Sequence, residues 1–279
     1  MAFFRTSTAF WKGTGYENRR RRGCGALDGT TTLTGTVSRV LYRAVMVLLS
    51  ILCLPVTAPA AEADAQPVDL ELVLVVDASA SISGNVLEFQ LRGHAAAFRD
   101  ERVAAAVTSG PVGAIAVTLA QFSDPNSLEV LIPWTRLGTR EEVAQFADAI
   151  AAAPRNARTG STAIGSAIRD ATRLFDGNGF DAVQRTIDLT SNGFSNAGLD
   201  PALARDLAEQ AGVTINAIAI LNDFDWLEFY YRQSVIGGVG AFVRTATDSD
   251  SFRDALIQKL IDEMVWQPAL PGQRGRAFG

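Results

Sequence analysis

A doubly wound α/β fold is predicted for this chain: one mostly parallel sheet with helices on both faces. Three features carry the prediction. Residues 68–76 are apolar apart from Asp69 and Glu71. So uniform a run suits a central strand covered on both faces rather than a surface strand. Further short apolar runs alternate with stretches of helical periodicity over roughly 200 residues, the order that builds a parallel sheet between helical layers. No internal repeat and no second domain interrupt the alternation.

Each element has its own signal. Residues 70–76 are the first strand. Gly84 and Asn85 open a helix that runs to about residue 107. Residues 114–121 are the second strand. Residues 128–132 are the third, closed by Pro133, and the short Asp124-Pro125-Asn126 connection makes the two a hairpin. Thr139 and Glu142 have capping-box spacing before a helix over 143–153. Residues 162–175 place Ile164, Ile168, Ala171 and Leu174 at helical spacing. A fourth strand covers 186–190. Asp200-Pro201 starts a helix that Gly212 ends, with proline at the entrance and glycine at the exit. A fifth strand follows over 213–220, a helix over 226–236 and a sixth strand over 241–246. The last helix, 251–265, carries Phe252, Leu256 and Leu260 on one face.

The ends read differently. Arg39 and Arg43 precede an apolar core at 44–54, and Ala58-Pro59-Ala60 follows. A positive start, a short apolar centre and an A-x-A end describe a secretory signal peptide. The core is too short to span a bilayer comfortably. Cleavage near Ala60 and a periplasmic or secreted product are expected, with no stable membrane span afterwards; an uncleaved anchor is the alternative. The arginine run 19–22 has no apolar run directly behind it, so residues 1–36 read as an extended leader or an early start. The organisation expected is a leader and linker over 1–66, one α/β domain over 67–266 and a disordered tail rich in Gly, Pro and Arg over 267–279.

Export changes the chemistry of the chain. Both cysteines, Cys24 and Cys53, precede the cleavage point, so neither disulfides nor thiolate metal sites are expected in the product. The first 60 residues contain 8 Lys+Arg and 2 Asp+Glu. The rest keeps 17 of the 25 basic and 28 of the 30 acidic residues, a net charge of −11. So acidic a product makes a poor nucleic-acid binder.

The segment with most chemistry is Asp77-Ala78-Ser79-Ala80-Ser81, directly after the first strand. One carboxylate and two hydroxyls at alternate positions suit a hard divalent cation, which prefers oxygen ligands. Open α/β sheets hold their ligands beyond the carboxyl ends of the strands. Read alone, such a segment is also an ordinary turn. Thr162, in Gly160-Ser161-Thr162-Ala163-Ile164-Gly165, reads alone as a helix N-cap. Ser191-Asn192-Gly193 reads alone as a turn after the fourth strand.

Together these segments resemble the von Willebrand factor A domain and its metal-ion-dependent adhesion site, over about residues 68–265. Tyr230-Tyr231-Arg232, the 235–238 stretch and the 240–243 stretch are similar to a bacterial subfamily of exported von Willebrand A proteins of unknown function. The resemblance implies a cation site made by Asp77, Ser79, Ser81 and Thr162, with Asn192 in the outer shell through a water. It implies Mg²⁺, or Mn²⁺ or Ca²⁺, with one position open to an acidic residue of a partner protein. The family has aspartate where Asn192 stands. An amide oxygen still accepts from water but brings no charge, so weak metal binding is expected. Asp188 shares strand parity with Asn192 but lies about four residues earlier, roughly 13 Å at strand rise. It is expected as a buried carboxylate with a partner, not a ligand.

Enzymatic readings find little support. His94, the single histidine, falls inside the first helix and reads as a packed or solvated residue. No G-x-S-x-G elbow, no H-E-x-x-H and no dinucleotide loop before a helix is present. A non-enzymatic, metal-dependent protein-binding module is therefore expected. A metal-free scaffold with a degenerate site is the alternative, followed by a metal-assisted hydrolase. Trp134, Trp226, Phe229, Tyr230 and Tyr231 are either partner-surface or core positions.

Overall fold

Among the described residues the strands form one six-stranded sheet and a separate two-stranded pair. The computed structural model describes residues 65–79, 84–155 and 160–265. The expected signal peptide, the tail over 267–279 and Ser81 lie outside the described residues. The elements are β1 (Gln66–Pro67), β2 (Leu70–Asp77), α1 (Gly84–Phe98), α2 (Glu101–Val107), β3 (Ile115–Phe122), β4 (Glu129–Leu137), α3 (Arg140–Ala152), α4 (Ile164–Arg173), β5 (Phe180–Asp181), β6 (Gln184–Ser191), α5 (Pro201–Gln210), β7 (Val213–Ile220), α6 (Leu227–Ser234), β8 (Val243–Ala246) and α7 (Ser249–Met264).

The six-stranded sheet has the order β4-β3-β2-β6-β7-β8 and the pair is β1-β5; all neighbours in the larger sheet pair in parallel except β3 and β4. The predicted fold class is the one observed. Leu70, Leu72, Leu74 and Val76 face one apolar cluster with residues of α1, α2, α3 and α7. Val73 and Val75 face the other, with α4, α5 and α6. Every residue of β2 is buried, as a central strand requires.

Two expected boundaries are corrected. The helix expected over 84–107 is two helices. Asp100 leaves the helical conformation, and its side chain accepts from Arg102 N as an N-cap, which ends α1 and starts α2. Pro133 does not close the third strand; β4 runs through it to Leu137. An edge strand tolerates proline because one row of its N–H groups meets no ladder. The β3–β4 register also shifts on either side of Leu119. The β1–β5 pair, two residues per strand, is too short to leave a pattern in the sequence.

Other local signals hold. Thr139 and Glu142 form the capping box of α3. Asp200 caps α5 with Pro201 in its first turn. Gly212 takes a φ of 76° just past that helix, a conformation glycine adopts without penalty.

Three buried ionisable side chains meet between α7 and β6. Lys259 Nζ is 2.7 Å from Asp188 Oδ2 and pairs with Glu263. Asn216 Nδ2 donates to the same Glu263 at 2.7 Å. Asp188 is thus a buried carboxylate with a cationic partner. Glu71, the acid inside β2, accepts from Asn178 and from Ala182 N.

Candidate functional site

The sheet has a topological switch point between β2 and β6. From β2 the chain moves to β3 on one side, and later it enters β6 on the other. A crevice forms at such a point, beyond the carboxyl ends of the strands. Val76 is in register with Thr190, so Asp77 and Ser191 end their strands side by side.

Asp77 is fully buried. Its Oδ1 accepts from Ser79 N at 2.8 Å, and its Oδ2 accepts from the Ser191 hydroxyl at 2.5 Å. Gln90 on α1 donates to the Asp77 carbonyl at 3.1 Å. Burial pushes the Asp77 carboxyl above its usual value, while the bonds from Ser191 and Ser79 pull it down. A buried carboxylate in this balance gains from a nearby cation.

Thr162 does not cap α4. The N-cap position is Ala163, with no side-chain cap. The Thr162 hydroxyl instead donates to Ser79 Oγ at 3.0 Å, across 83 residues of sequence. Its backbone is clamped by Asn196: Thr162 N donates to Asn196 Oδ1 at 2.8 Å, and Asn196 N to Thr162 O at 2.9 Å. Ser161 is held from the β3–β4 hairpin, donating twice to Asp124. Gly165 lets α4 approach the next loop, since a Cβ there would collide with the Leu199 carbonyl.

Asn192 is buried, 3% exposed. Its Nδ2 donates to Asp223 Oδ2 at 3.3 Å. Its Oδ1 has no hydrogen-bond partner among the described residues. A Cβ built on Gly193 would lie 3.7 Å from Thr162 Oγ1, so the Asn192 loop runs beside Thr162. The buried Tyr231 hydroxyl donates to Gly193 O at 2.8 Å and fixes that loop from α6; burial holds this phenol well above its usual pKa.

Of the residues expected in the site, Asp77, Ser79 and Thr162 meet through hydrogen bonds, and Asn192 adjoins them through Ser191 and Gly193. Sequence reasoning missed Ser191, Asn196, Asp223 and Tyr231. Ser191 was read only as part of the turn after the fourth strand, and its bond to Asp77 follows from the β2–β6 register. The other three depend on loops meeting in space. His94 is packed: its Nδ1 lies 2.8 Å from the Gln90 carbonyl, and its ring lies against Phe252. Tyr231 is fully buried, and Trp134 is partly buried, donating to Leu174 O at 2.9 Å. Trp226 and Phe229 are exposed.

A buried, unpartnered acceptor on Asn192, together with a carboxylate and two hydroxyls, is an all-oxygen donor set that fits a hard divalent cation. A family model described as a protein of unknown function, DUF1194, matches residues 67–268. The chain belongs to the DUF1194 family. No curated protein matches it. Among solved structures, this DUF1194 protein is similar to proximal thread matrix protein 1 from the mussel byssus, at 21% identity over 72% of this chain and 49% of that one, TM-score 0.55. It is also similar to a von Willebrand factor type A structure from Catenulispora acidiphila, at 17% identity over 71% and 43%, TM-score 0.50. The pilus adhesin SpaC from Lactobacillus rhamnosus GG matches at 15% over 72% and 31%, TM-score 0.50. The mussel protein has also been solved with zinc in its MIDAS motif. These likenesses establish the fold: the DUF1194 domain has the von Willebrand A fold. The chain spans about half or less of the length of these solved proteins. Among the described residues, no helix is long and apolar enough to cross a membrane.

Proposed function

We propose that this DUF1194 protein is an exported, non-enzymatic module that binds a partner protein through a divalent-cation site. In this reading residues 1–66 are leader and linker, 67–266 the binding domain and 267–279 a tail. The observation that carries it is the convergence of Asp77, Ser79 and Thr162 at the switch point: the Thr162 hydroxyl 3.0 Å from Ser79 Oγ, and Ser79 N on the Asp77 carboxylate. Hydroxyls from two distant loops have no need to meet around a buried carboxylate for the fold alone. The bound likeness of the mussel protein, a zinc-occupied MIDAS motif, supports a cation here.

Asp77, Ser79, Ser81 and Thr162 would hold the ion, Mg²⁺ or Mn²⁺ first, with Asn192 in the outer shell. When bound, the cation supplies a position for a carboxylate oxygen of the partner. Asp77 provides the one charged ligand, and the Ser191 hydroxyl keeps its carboxylate oriented. Gln90 and Asn196 fix the two backbones that present the ligands. Pull-down from an envelope fraction, with Mg²⁺ and with excess chelator, tests the reading. Partner recovery is expected with Mg²⁺ and from wild type, and not from Asp77→Ala. Equal recovery in chelator and from Asp77→Ala would sink it.

A specific observation also favours a metal-free scaffold. Ser191 already satisfies Asp77 Oδ2 at 2.5 Å, and Asn192 brings no charge. Calorimetry with Mg²⁺ and Mn²⁺ separates the two readings: heat saturating at one ion per chain supports the cation site, and none supports the scaffold.

A further inference from the structure

An aromatic cluster stands beside the crevice, outside both apolar cores' fully buried sets. Phe194 lies in the loop after β6; Phe224 and Trp226 lie in the loop after β7. Their rings meet pairwise, with centroids 5.4 Å apart for Phe194 and Phe224, 5.5 Å for Phe194 and Trp226, and 5.2 Å for Phe224 and Trp226. Tyr230 adds its ring edge-on, 6.3 Å from Trp226. Its hydroxyl accepts from Ser195 N, which ties α6 to the β6 loop. Trp226 remains 45% exposed and Phe194 38%. Single exposed apolar residues are ordinary, but contiguous exposed rings on two loops mark a binding surface.

The surface is also acidic. Asp223 and Asp225 flank Phe224, and both are exposed. Among the described residues neither pairs with an arginine or lysine; the nearby Arg232 goes to Glu228. Ring faces carry partial negative charge, tryptophan most strongly, so rings and carboxylates here attract the same sign of ligand.

We infer that this aromatic–acidic surface binds an exposed arginine side chain of a partner protein. A guanidinium is planar and stacks on a ring face while its N–H fork reaches a carboxylate. A lysine ammonium offers the charge without the plane. The net charge of −11 over residues 61–279 draws a basic partner over longer range. The surface adjoins the proposed cation site through Asp223, which accepts from Asn192 Nδ2; the rings and Asp225 need no cation, so the two can fail separately.

The test uses the full chain at physiological salt and fluorescence anisotropy. The probes are a labelled Gly-Arg-Gly-Arg-Gly peptide and its citrulline counterpart, which keeps the shape and loses the charge. The arginine peptide is expected to bind, and the citrulline peptide to bind about five-fold more weakly or not at all. Trp226→Ala and Asp225→Asn are each expected to weaken the arginine peptide about five-fold. Glu141→Gln, on α3 in the opposite helical layer, removes the same charge and is expected to change nothing, as is excess chelator. Asp225→Asn alters one exposed atom, so it decides the matter if Trp226→Ala disturbs folding. Absence of binding, equal binding of the citrulline peptide, or equal losses from Glu141→Gln and Asp225→Asn would overturn the inference. So would self-association of the chain through Trp226 that excludes the peptide.

Discussion

Asn192 Nδ2 donates to Asp223 Oδ2 at 3.3 Å, which places a carboxylate from the β7–α6 loop against the amide at the crevice. Asn192→Asp is expected to tighten Mg²⁺ binding, because it adds an anion near the ion. The gain should be larger in an Asp223→Asn background. In the wild-type background two carboxylates would face each other, and one would resist ionising. A coupling of about 1 kcal/mol, roughly five-fold in affinity, is expected for residues in contact. Calorimetric titration of the four proteins measures it. Equal gains in both backgrounds would remove Asp223 from the site.

Asp77→Asn should cost both metal and stability. The buried side chain accepts from Ser191 and Ser79 N, and an amide matches neither the charge nor both acceptor positions. A loss of about 1–3 kcal/mol in chemical unfolding is expected. Saturating Mg²⁺ should raise the Tm of the wild type, since a ligand of the folded state stabilises it. The Tm of Asp77→Asn should not move. A Mg²⁺ shift that survives the substitution would put the ion elsewhere.

Lys259 faces two buried carboxylates, Asp188 and Glu263, and one cation neutralises only one of them. Burial accordingly pushes the Glu263 carboxyl up from 4.5 to about 7, with Asp188 adding to the rise and Lys259 opposing it. The folded chain keeps a proton that the unfolded chain releases. Its contribution to stability is full below 4.5 and is lost as pH rises to about 7. Burial lowers the pKa of His94, and that group acts in the opposite sense as pH falls. The comparison with Glu263→Gln isolates the carboxyl, since His94 is common to both proteins: as pH falls from about 7 to 4.5 the wild type should gain stability relative to the variant. Parallel profiles would assign the proton to another group.

Lys259→Met removes the cation from both Asp188 and Glu263. Breaking one side of a buried pair typically costs about 3–5 kcal/mol. Lys259→Met/Asp188→Leu should recover part of that, because Glu263 is then the one carboxyl left from the trio and still accepts from Asn216 Nδ2. Urea unfolding of the two variants checks the order; a double variant no more stable than the single would mean that Asp188 is not the group left uncompensated.

Tyr231→Phe is expected to act on the loop rather than on the core. The ring stays buried, but the Gly193 carbonyl loses its donor, at a cost of about 1–3 kcal/mol. Mg²⁺ affinity should fall with it, since that loop carries Asn192. Hydrogen exchange of the 192–196 amides is the direct readout, and unchanged protection there would show that Tyr231 does not hold the loop.

Local patterning was enough to predict the class of sheet and its buried central strand. Uniform apolar runs and capping residues are local signals; those at Leu70, Thr139 and Asp200 were enough to order the elements. Asp77 and Ser79 were legible as oxygen ligands at the end of a strand, whereas Thr162 read alone as a helix N-cap and joined them only through the resemblance to the von Willebrand A domain. The end of α1 at Phe98 and the passage of β4 through Pro133 were less legible. An N-cap at Asp100 and an edge position in the sheet override periodicity and proline rules that assume an average neighbourhood. Which hydroxyls meet depends on the packed fold. The Thr162–Ser79 bond, the Ser191 contact with Asp77, the Asp223 partner of Asn192 and the Lys259 partner of Asp188 all join residues far apart in the chain. Such pairs are set by strand order and register, and a single sequence read locally contains no signal for either.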